Sequence, residues 1–332
     1  MANLKLRLGC GTYDHTRALA DGSVRPEGIE LEYVTSFPAD TFRRMIRDKE
    51  FEVAEMGLTF YIGTLQQPDP AFVAIPVYPI RYFVQSAIFI NMNSDIRNPR
   101  DLVDKRVGEL LFYGHDAGTW IRGILSDEYG LPYNGAEYHV GGLDQPAARW
   151  DWLPLTTPSN VRVSELAADQ TLNDLLVSGG IDALYSAQVP ASVVNRVSGV
   201  GYLFDDHEFA GREYFRRTGI FPIMHIVAIR RDVYEANPWI AKSLFEAFVK
   251  SKETAENFYR FQRQHMHRFL MIPWLSAHLE ENRRLMGDDP WPYGVSRNRK
   301  ALETFLRYHH EHGLSKRHFT IEDMFASELL AT

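Results

Sequence analysis

One segment of the sequence combines residue types that bind an anion. Residues 110 to 122, LLFYGHDAGTWIR, follow a predicted strand, pass through a loop with His115 and Gly118, and enter a helix predicted to begin at Thr119. The first backbone N–H groups of a helix have no internal partner, and the helix dipole favours negative charge there. Arg122 would lie one turn into this helix, where a guanidinium could hold a carboxylate through two parallel hydrogen bonds. The segment therefore predicts an anion-binding site, which we favour over a solvated loop.

Alternating strands and helices must position this segment. Apolar patterns predict strands at 4–8, 29–34, 51–56, 106–111, 181–185 and 222–229, and crossing strands within 76–91. Apolar spacing and capping residues predict helices at 38–48, 119–130 and 169–179, a helix capped by Asn237 and Pro238, and a helical tail from 265. The segment 141–158 is rich in Trp, Pro and Gly, which predicts an irregular excursion. This order indicates an α/β protein with mostly parallel sheets, in which strands connect two domains and leave a ligand cleft between them.

Composition limits the classes of protein to consider. A chain of 332 residues, 45% hydrophobic and 24% charged, is typical of a globular protein with two domains. The net charge of −7 and the lack of a basic block disfavour nucleic acid as a partner, and no apolar run is long enough for a membrane span. Cys10, the only cysteine, excludes an intrachain disulfide and a multi-cysteine metal site. Because residues 1–8 also lack the apolar stretch of a secretion signal, we predict a cytoplasmic protein.

Several motifs resemble those of a known enzyme family. DLVDKRVG at 101–108 and GGIDA at 179–183 are similar to elements of the type II periplasmic-binding-protein-like fold. Closer similarity lies in GTYDH at 11–15, GHDAGTWIRG at 114–123, TGIFPIMH at 218–225 and NPW at 237–239. Together these motifs resemble the 4,5-dihydroxyphthalate decarboxylases, which keep this fold and convert 4,5-dihydroxyphthalate to protocatechuate and CO2. The resemblance covers nearly the full length of the chain.

The resemblance implies an α/β fold of two lobes with the ligand cleft between them. Lobe I would combine residues 1–92 with 220–265, lobe II would span 93–219, and a C-terminal helical extension at 266–332 would pack on lobe I. The partner would be a small aromatic dicarboxylate substrate, with no nucleic acid and no membrane. We expect no metal site and no organic cofactor, because the substrate's own hydroxyl supplies the electrons. The aromatic tail, with Trp274, Trp291 and Tyr293, leaves a homo-oligomer open, although core packing is the more frequent use of such residues.

The substrate of that family defines what the cleft must supply. Direct loss of CO2 from an arene would leave an aryl anion that the π system does not stabilise. Deprotonation of the hydroxyl para to a carboxylate instead raises electron density at the carbon that carries this carboxylate, so the carbon can be protonated before CO2 departs. The site then needs a base near the hydroxyl, an acid near the ring carbon, and cationic groups for the carboxylate that stays. Histidine suits both proton-transfer roles near neutral pH.

Candidate residues follow the strand ends that this fold directs at the cleft. The catalytic candidates are His15, Asp14, Glu55, His115 and His225. The substrate-binding candidates are Tyr13, Arg17, Thr59, Arg81, Gly118, Thr119, Arg122 and Tyr185. We leave open a turn or helix cap for Asp14 and His15, an ion pair for Glu55, a surface salt bridge for Arg81, and core packing for Tyr185 and His225. The sequence does not identify which residue is the acid and which is the base.

Two other functions are alternatives to decarboxylation. A non-catalytic cytoplasmic protein that binds an aromatic or pyrimidine-like ligand would bind it tightly and leave it unchanged. An enzyme similar to the synthase of the thiamine pyrimidine precursor would consume a cofactor and an active-site histidine, so the mass of the protein would change after turnover. A DNA-binding regulator is disfavoured, because no helix-turn-helix segment precedes the first predicted strand.

Overall fold

Two β-sheets organise the molecule. The computed structural model describes residues 3–147, 150, 152, 155 and 157–332. Within these residues, eleven strands form a five-stranded and a six-stranded sheet, which confirms the predicted α/β class. The strands are β1 (Leu4–Cys10), β2 (Ile29–Thr35), β3 (Val53–Gly57), β4 (Phe72–Ile75), β5 (Ile88–Asn91), β6 (Arg106–Leu110), β7 (Glu137–Gly141), β8 (Arg162–Glu165), β9 (Ala183–Tyr185), β10 (Val200–Tyr202) and β11 (His225–Arg230).

Helices follow most strands and form a C-terminal group. They are α1 (Arg17–Ala20), α2 (Pro38–Ile46), α3 (Leu58–Leu65), α4 (Asp116–Tyr129), α5 (Leu172–Ser178), α6 (Ala191–Val194), α7 (His207–Thr218), α8 (Arg231–Ala236), α9 (Trp239–Gln264), α10 (Leu275–Met286), α11 (Arg299–Glu311) and α12 (Ile321–Met324). Short 3-10 helices lie at Asp14–Thr16, Val84–Ala87, Pro99–Leu102, Ser296–Asn298 and Ser327–Leu329. None of the helices in the described ranges combines the length and the hydropathy that crossing a bilayer requires.

The first sheet has the strand order β2-β1-β3-β11-β4. β1 and β3 run parallel, whereas β11 runs antiparallel to β3. The carboxyl ends of β1 and β3 and the amino end of β11 therefore lie at the same end of the strands. All residues of β3 are buried, and Glu55 is the only charged residue in this strand. This end of the sheet brings Glu55 together with the loop after Cys10 and with His225.

The second sheet has the strand order β10-β5-β9-β6-β7-β8. β6 runs parallel to both β7 and β9, so the carboxyl ends of these three strands lie at the same end of the sheet. β6 carries the fully buried Glu109, and β9 ends at the fully buried Tyr185. Helix α4 follows β6, so its amino end lies at this carboxyl end of the strands.

Helix α4 begins three residues earlier than the sequence predicted. Its first residue is Asp116 and its N-cap is His115, which has an extended backbone, so the free N–H groups belong to residues before Thr119. The predicted end is confirmed: Gly130 follows the helix with a φ of 72°, a left-handed conformation that glycine adopts without steric cost. The earlier start moves Arg122 into the second turn, where its side chain bonds Glu109 of β6.

Other predicted boundaries also shift. The strand predicted at 222–229 begins at His225, and the helix predicted from 169 begins at Leu172. The segment 76–91 contributes one regular strand, β5, because a 3-10 helix occupies the residues just before it. The helix predicted after Asn237 and Pro238 is α9. Of the predicted excursion at 141–158, residues 148, 149, 151, 153, 154 and 156 lie outside the described residues.

Sheet membership refines the predicted lobes. β11 pairs with β3 and β4, as expected for a strand of lobe I. β5 pairs with β9 and β10, so residues 88–91 join the second sheet although the predicted boundary at 92 placed them in lobe I. We therefore propose the predicted division into two lobes, with the first crossing from lobe I to lobe II placed before Ile88. The C-terminal extension contacts both parts, since Phe325 forms a bridge to Ala74 in β4 and Tyr308 of α11 packs on Gly123 of α4.

Candidate active site

A buried carboxylate, Glu55, lies in β3, the central strand of the first sheet. It accepts hydrogen bonds from the backbone N–H of Gly11 at 2.9 Å and from the hydroxyl of Tyr13 at 2.7 Å. The Cys10 thiol donates to Oε2 at 3.4 Å, and Nδ1 of His225 lies 2.5 Å from Oε1. Four donors from β1, its following loop and β11 therefore converge on one carboxylate, and each of them stabilises its ionised form.

The contact between Glu55 and His225 fixes which imidazole nitrogen a ligand can reach. Burial opposes the charge on Glu55, but the hydrogen bond and the charge of His225 keep the pKa of Glu55 below its ordinary value. An ionised carboxylate only accepts hydrogen bonds, so Nδ1 of His225 carries the proton of this bond, and Nε2 is directed away from Glu55, 3.9 Å from Oδ2 of Asp116. Val227 pairs with Glu55 and His225 pairs with Gly57, which makes the two side chains diagonal neighbours on one face of the sheet.

The donors to Glu55 other than His225 are neutral. Burial raises the pKa of the Cys10 thiol, and the charge of Glu55 raises it further. The same two causes raise the pKa of the Tyr13 hydroxyl, so both groups keep their protons. Gly11 donates a backbone N–H. Among these hydrogen-bond partners, only a protonated His225 can therefore balance the charge of Glu55.

The second sheet holds a matching carboxylate–imidazole pair. Oε1 of the buried Glu109 lies 2.9 Å from Nδ1 of His115 and accepts the N–H of Gly114 at 3.0 Å. Oε2 accepts a hydrogen bond from Nη1 of Arg122 at 2.6 Å. Burial again opposes ionisation, but the charge of Arg122 and the bond from His115 keep the pKa of Glu109 below its ordinary value. Nδ1 of His115 is thus the donor, and its buried Nε2 has no partner among the described residues.

Three predicted binding residues surround Glu109 and support this pair. A Cβ at Gly118 would overlap Oε1 of Glu109, so glycine lets the carboxylate lie against α4. The Thr119 hydroxyl donates to the carbonyl of Gly114 at 3.2 Å and holds the loop before the helix. Tyr185 pairs with Glu109 between β9 and β6, and its buried hydroxyl has no partner within the described part of the chain. These contacts place Gly118, Thr119 and Tyr185 around Glu109, where they support the pair.

Asp116 connects the two carboxylate–imidazole pairs. Its Oδ1 accepts the backbone N–H of Thr59, the second residue of α3, at 2.6 Å, and its Oδ2 lies 3.9 Å from Nε2 of His225. Burial raises the pKa of Asp116, although the His225 charge and the Thr59 N–H act in the opposite direction. A Cβ at Gly57 would lie 2.5 Å from Oδ2, so this approach requires glycine. Within the described ranges, no three His, Cys, Asp or Glu side chains form a group that could hold a metal ion.

Aromatic rings border the space beside His225. The Phe42 ring meets the imidazole edge to face, with centroids 5.0 Å apart, and lies 5.2 Å from Phe60. Phe60 stacks on Trp152 with centroids 5.8 Å apart and 17° between the planes, and its edge contacts Phe112 at 5.2 Å. These faces and edges suit contact with a planar aromatic ring.

Arg122 does not match the predicted role of binding a substrate carboxylate. Its side chain has 0% exposure and forms an ion pair with Glu109. The guanidinium lies 4.0 Å from the centroid of Tyr113 and 5.4 Å from that of Tyr138. Two of its nitrogens have no hydrogen-bond partner in the described part of the chain, as expected for a cation stacked between rings. The earlier start of α4 places Arg122 in the second turn, away from the free N–H groups at its amino end, and there its side chain bonds Glu109.

The loop after β1 supplies Tyr13 to the site but turns its next residues away. Asp14 accepts hydrogen bonds from the N–H of His15 and from the Tyr259 hydroxyl of α9; it is the first residue of the 3-10 helix, whose N-cap is Tyr13, so it does not serve as the cap. Nδ1 of His15 lies 2.8 Å from the hydroxyl of Tyr293, and burial lowers the pKa of His15. Asp14 and Arg17 line a surface groove against α9. These contacts do not support a role for these residues in the cleft.

Arg81 is buried where the chain crosses between the sheets. Its Nη1 donates to Asn298 at 2.9 Å and its Nη2 donates to the carbonyl of Phe221 at 2.7 Å. Its guanidinium also lies 4.7 Å from the centroid of the Phe221 ring, and burial lowers the pKa of Arg81 to about 10. The geometry matches neither a surface salt bridge nor a substrate contact. Arg81 instead ties the crossing segment to the C-terminal region.

The sequence analysis missed Glu109, Asp116 and Phe60. Glu109 is a single charge within the apolar run after Arg106, and this isolated charge is the signal that could have identified it. Asp116 lies in the segment that was singled out, but the late helix start concealed its position as the first helical residue. Phe60 has no signal in the sequence that separates it from an aromatic residue of the core.

Comparison with known proteins places the chain in a family. No protein-family model matches it. The 4,5-dihydroxyphthalate decarboxylase of Comamonas testosteroni is 30% identical over 325 residues, which cover 98% of this chain and 97% of that protein. The protein of the same name from Pseudomonas putida is 28% identical over 216 residues, 65% of this chain and 83% of its own length.

The fold is that of two-lobed binding proteins. The crystal structure of the periplasmic aliphatic sulphonate binding protein SsuA from Escherichia coli matches with a TM-score of 0.54 at 14% identity, and the match covers 98% of this chain and 92% of that one. This likeness confirms the predicted fold. The full-length identity to the Comamonas enzyme confirms the resemblance inferred from the motifs. The chain therefore belongs to the 4,5-dihydroxyphthalate decarboxylase family and is an enzyme, a carboxy-lyase.

Proposed function

We propose that this enzyme converts 4,5-dihydroxyphthalate to protocatechuate and CO2. The observation that carries the proposal is the presence of two buried carboxylate–imidazole pairs, Glu55–His225 on one sheet and Glu109–His115 on the other. Protonation of a ring carbon, assisted by a para hydroxyl, needs one acid and one base, and two oriented imidazoles can provide them. The names of the two relatives supply the substrate.

His225 is the acid in this proposal. Its partner Glu55 accepts its remaining hydrogen bonds from neutral groups, so a proton on Nε2 of His225 is stabilised by a full negative charge. The ring carbon that loses CO2 lies next to this nitrogen in the proposed complex. A positioned acid of this kind contributes about 10²-fold to 10⁴-fold to a rate.

His115 is the base. The charge of its partner Glu109 is already balanced by Arg122, so Glu109 stabilises a positive charge on His115 less strongly than an unpaired carboxylate would. His115 is also the N-cap of α4, where the helix dipole disfavours positive charge. A neutral imidazole at this position can accept the proton of the substrate hydroxyl through Nε2.

The proton inventory of the reaction balances. The para hydroxyl gives its proton to His115, and the ring carbon receives a proton from His225. The bond from this carbon to the carboxylate then breaks, CO2 leaves, and the electron pair of that bond restores the aromatic ring. His115 returns its proton to the phenolate oxygen, and His225 regains one proton from solvent. The net uptake of one proton for each CO2 released matches the overall equation.

The aromatic rings near His225 provide the surroundings of low polarity that the loss of CO2 requires. Neutral CO2 forms from a carboxylate, so a surrounding of low polarity favours its departure. Phe42 contacts the imidazole and Phe60 packs against Phe42, so the two rings offer a surface against which the substrate ring can pack. The stacked ring would then present its carboxyl carbon to His225.

Direct assay of the purified protein tests the proposal. The protein is incubated with 4,5-dihydroxyphthalate, with and without a chelator, and protocatechuate is measured. We expect equal amounts of protocatechuate and CO2 under both conditions. Binding of the substrate without turnover would contradict the proposal and favour a binding protein, whereas a change in the mass of the protein would favour a synthase that consumes its own histidine. Activity that disappears only with the chelator would contradict the metal-free mechanism.

We propose the cytoplasm as the site of action and a small aromatic dicarboxylate as the partner. Cys10 is the single cysteine, so the fold requires no intrachain disulfide and no oxidising compartment to form one. Fractionation of cells that express the natural chain tests the location, and activity in the periplasmic fraction would contradict it.

A further inference from the structure

We propose that the amino end of α3, at Thr59, binds the carboxylate that the product retains, and that Asp116 occupies this Thr59 site until the substrate displaces it. The inference rests on the proposed function, because it assumes a substrate with two neighbouring carboxylates. It assigns one of them to a defined position. It also gives the site a built-in competitor.

The Thr59 site has the donors that a carboxylate needs. Thr59 is the second residue of α3, so its backbone N–H has no partner within the helix and points out of its positive end. Thr59 is 0% exposed, and its hydroxyl makes no hydrogen bond of ideal geometry among the described residues, although it lies close enough to Asp116 to help lower the pKa of that carboxyl. The amide and the hydroxyl of one residue can satisfy both oxygens of a carboxylate. Gly57 has no side chain, so a carboxylate can approach these donors, and the Asp116 carboxylate does so.

Asp116 shows that a carboxylate fits this position. It belongs to α4, which follows the second sheet, yet its Oδ1 accepts the Thr59 N–H at 2.6 Å. Its Oδ2 lies 2.5 Å from the position that a Cβ at Gly57 would take. In chemical terms, the Asp116 side chain stands in for the carboxylate of a ligand.

The distance to the proposed acid fits an ortho dicarboxylate. Reacting atoms stand about 3 Å apart before proton transfer, which places an oxygen of the neighbouring carboxylate about 4 Å from the donor. The observed separation between Nε2 of His225 and Oδ2 of Asp116 is 3.9 Å. A substrate carboxylate in the Thr59 site therefore leaves its neighbour, the one to be lost, in front of His225.

Asp116 and the substrate carboxylate cannot both use this site. Thr59 offers a single backbone N–H, and two carboxylates in one buried position repel each other. The substrate consequently binds only the fraction of molecules in which Asp116 has moved aside, and its apparent affinity is reduced by that fraction. The carboxylate site that the sequence analysis placed at the start of α4 is thereby reassigned to the start of α3.

Calorimetric titration with phthalate tests the proposal without turnover, because phthalate has both carboxylates and lacks the hydroxyls. The wild type, Asp116→Ala and Asp116→Asn are titrated in a buffer free of phosphate and carboxylate ions. We expect Asp116→Ala to bind phthalate about fivefold to tenfold more tightly than the wild type. Asp116→Asn keeps the shape but loses the charge, so we expect a smaller gain in the same direction. Asp205→Ala, which removes an exposed carboxylate, is expected to leave the affinity unchanged.

A second substitution locates the competition at the Thr59 site. Thr59→Val removes only the hydroxyl, and we expect it to weaken phthalate binding about threefold or more in the Asp116→Ala background. Phthalate binding that is no tighter in either Asp116 variant, or equal with and without the Thr59 hydroxyl, would overturn the inference while leaving the proposed function intact. A wild type that turns over no 4,5-dihydroxyphthalate and binds no phthalate would instead overturn both.

Discussion

Nδ1 of His225 lies 2.5 Å from Oε1 of Glu55, although 170 residues separate them in the chain. The contact exists because β11 returns from the second sheet and pairs antiparallel with β3. The Glu55 carboxylate is buried and its other hydrogen-bond donors are neutral, so its charge acts mainly on this imidazole. The pair therefore becomes a candidate acid only when the chain has crossed between the lobes and back.

Replacing Glu55 with Gln should slow decarboxylation strongly. The amide keeps the size of the side chain but cannot stabilise a protonated His225, so we expect kcat to fall about 10²-fold to 10⁴-fold while KM changes little. Steady-state kinetics with 4,5-dihydroxyphthalate measures both constants. Glu52→Gln is a suitable control, because Glu52 pairs with Arg230 outside the site. A kcat within threefold of the wild type would contradict the role of Glu55.

The ion pair between Arg122 and Glu109 should be important for stability. Both side chains have 0% exposure, so Arg122→Met leaves a buried carboxylate without its cation and should cost about 3–5 kcal/mol. The exposed pair of Arg106 and Asp182 begins the same strand, and Arg106→Met should cost at most about 1 kcal/mol. Denaturant unfolding of the two variants measures the difference. Equal losses would show that Arg122 does not neutralise Glu109 in the folded protein.

The same pair predicts the direction of the pH dependence of stability. Glu109 has a folded-state pKa below its ordinary value of 4.5, so its stabilising contribution is complete above this pH and is lost as the pH falls through the folded pKa. The double variant Glu109→Gln with Arg122→Met lacks this contribution. Below pH 4.5, the free energy of unfolding should therefore decrease more steeply in the wild type than in the double variant. Parallel curves in denaturant titrations at several pH values would argue against an ionised Glu109.

Phe60 should contribute to binding through its ring. Phe60→Leu keeps an apolar side chain but removes the stacking surface next to Phe42 and Phe112, which is worth about 0.5–1.5 kcal/mol. We expect KM for 4,5-dihydroxyphthalate to rise about threefold to tenfold, with a smaller change in kcat. Phe209→Leu, at a side chain that is 58% exposed, serves as the control. An unchanged KM in Phe60→Leu would place the substrate ring elsewhere.

The sequence indicated the α/β fold and several members of the site. Glu55 and His225 were candidates because this fold directs strand ends at the cleft, and His115 because it lies in a glycine-containing loop that enters a helix. Their pairing could not be predicted, since it depends on the antiparallel return of β11 and on the partner Glu109. Patterns along the chain carry no information on such contacts between distant strands.

The role of Arg122 depended on one local detail. A helix that begins at Thr119 would place Arg122 near its free end, whereas with the observed start at Asp116 this residue lies in the second turn and bonds Glu109 in β6. Helix ends are set by capping contacts, and the N-cap here is His115, whose side chain also bonds Glu109. A shift of three residues thus changed the interpretation of Arg122 from substrate binding to support of the Glu109–His115 pair.

Proton delivery by His225 is the central claim, and decarboxylation in D2O tests it most directly. Wild type and His225→Asn are compared with 4,5-dihydroxyphthalate, and the protocatechuate formed is analysed by NMR. The account predicts one deuterium for each CO2, at the ring carbon that lost the carboxylate, and a rate at least about 100-fold lower in His225→Asn. A variant that releases CO2 at the wild-type rate would contradict the account.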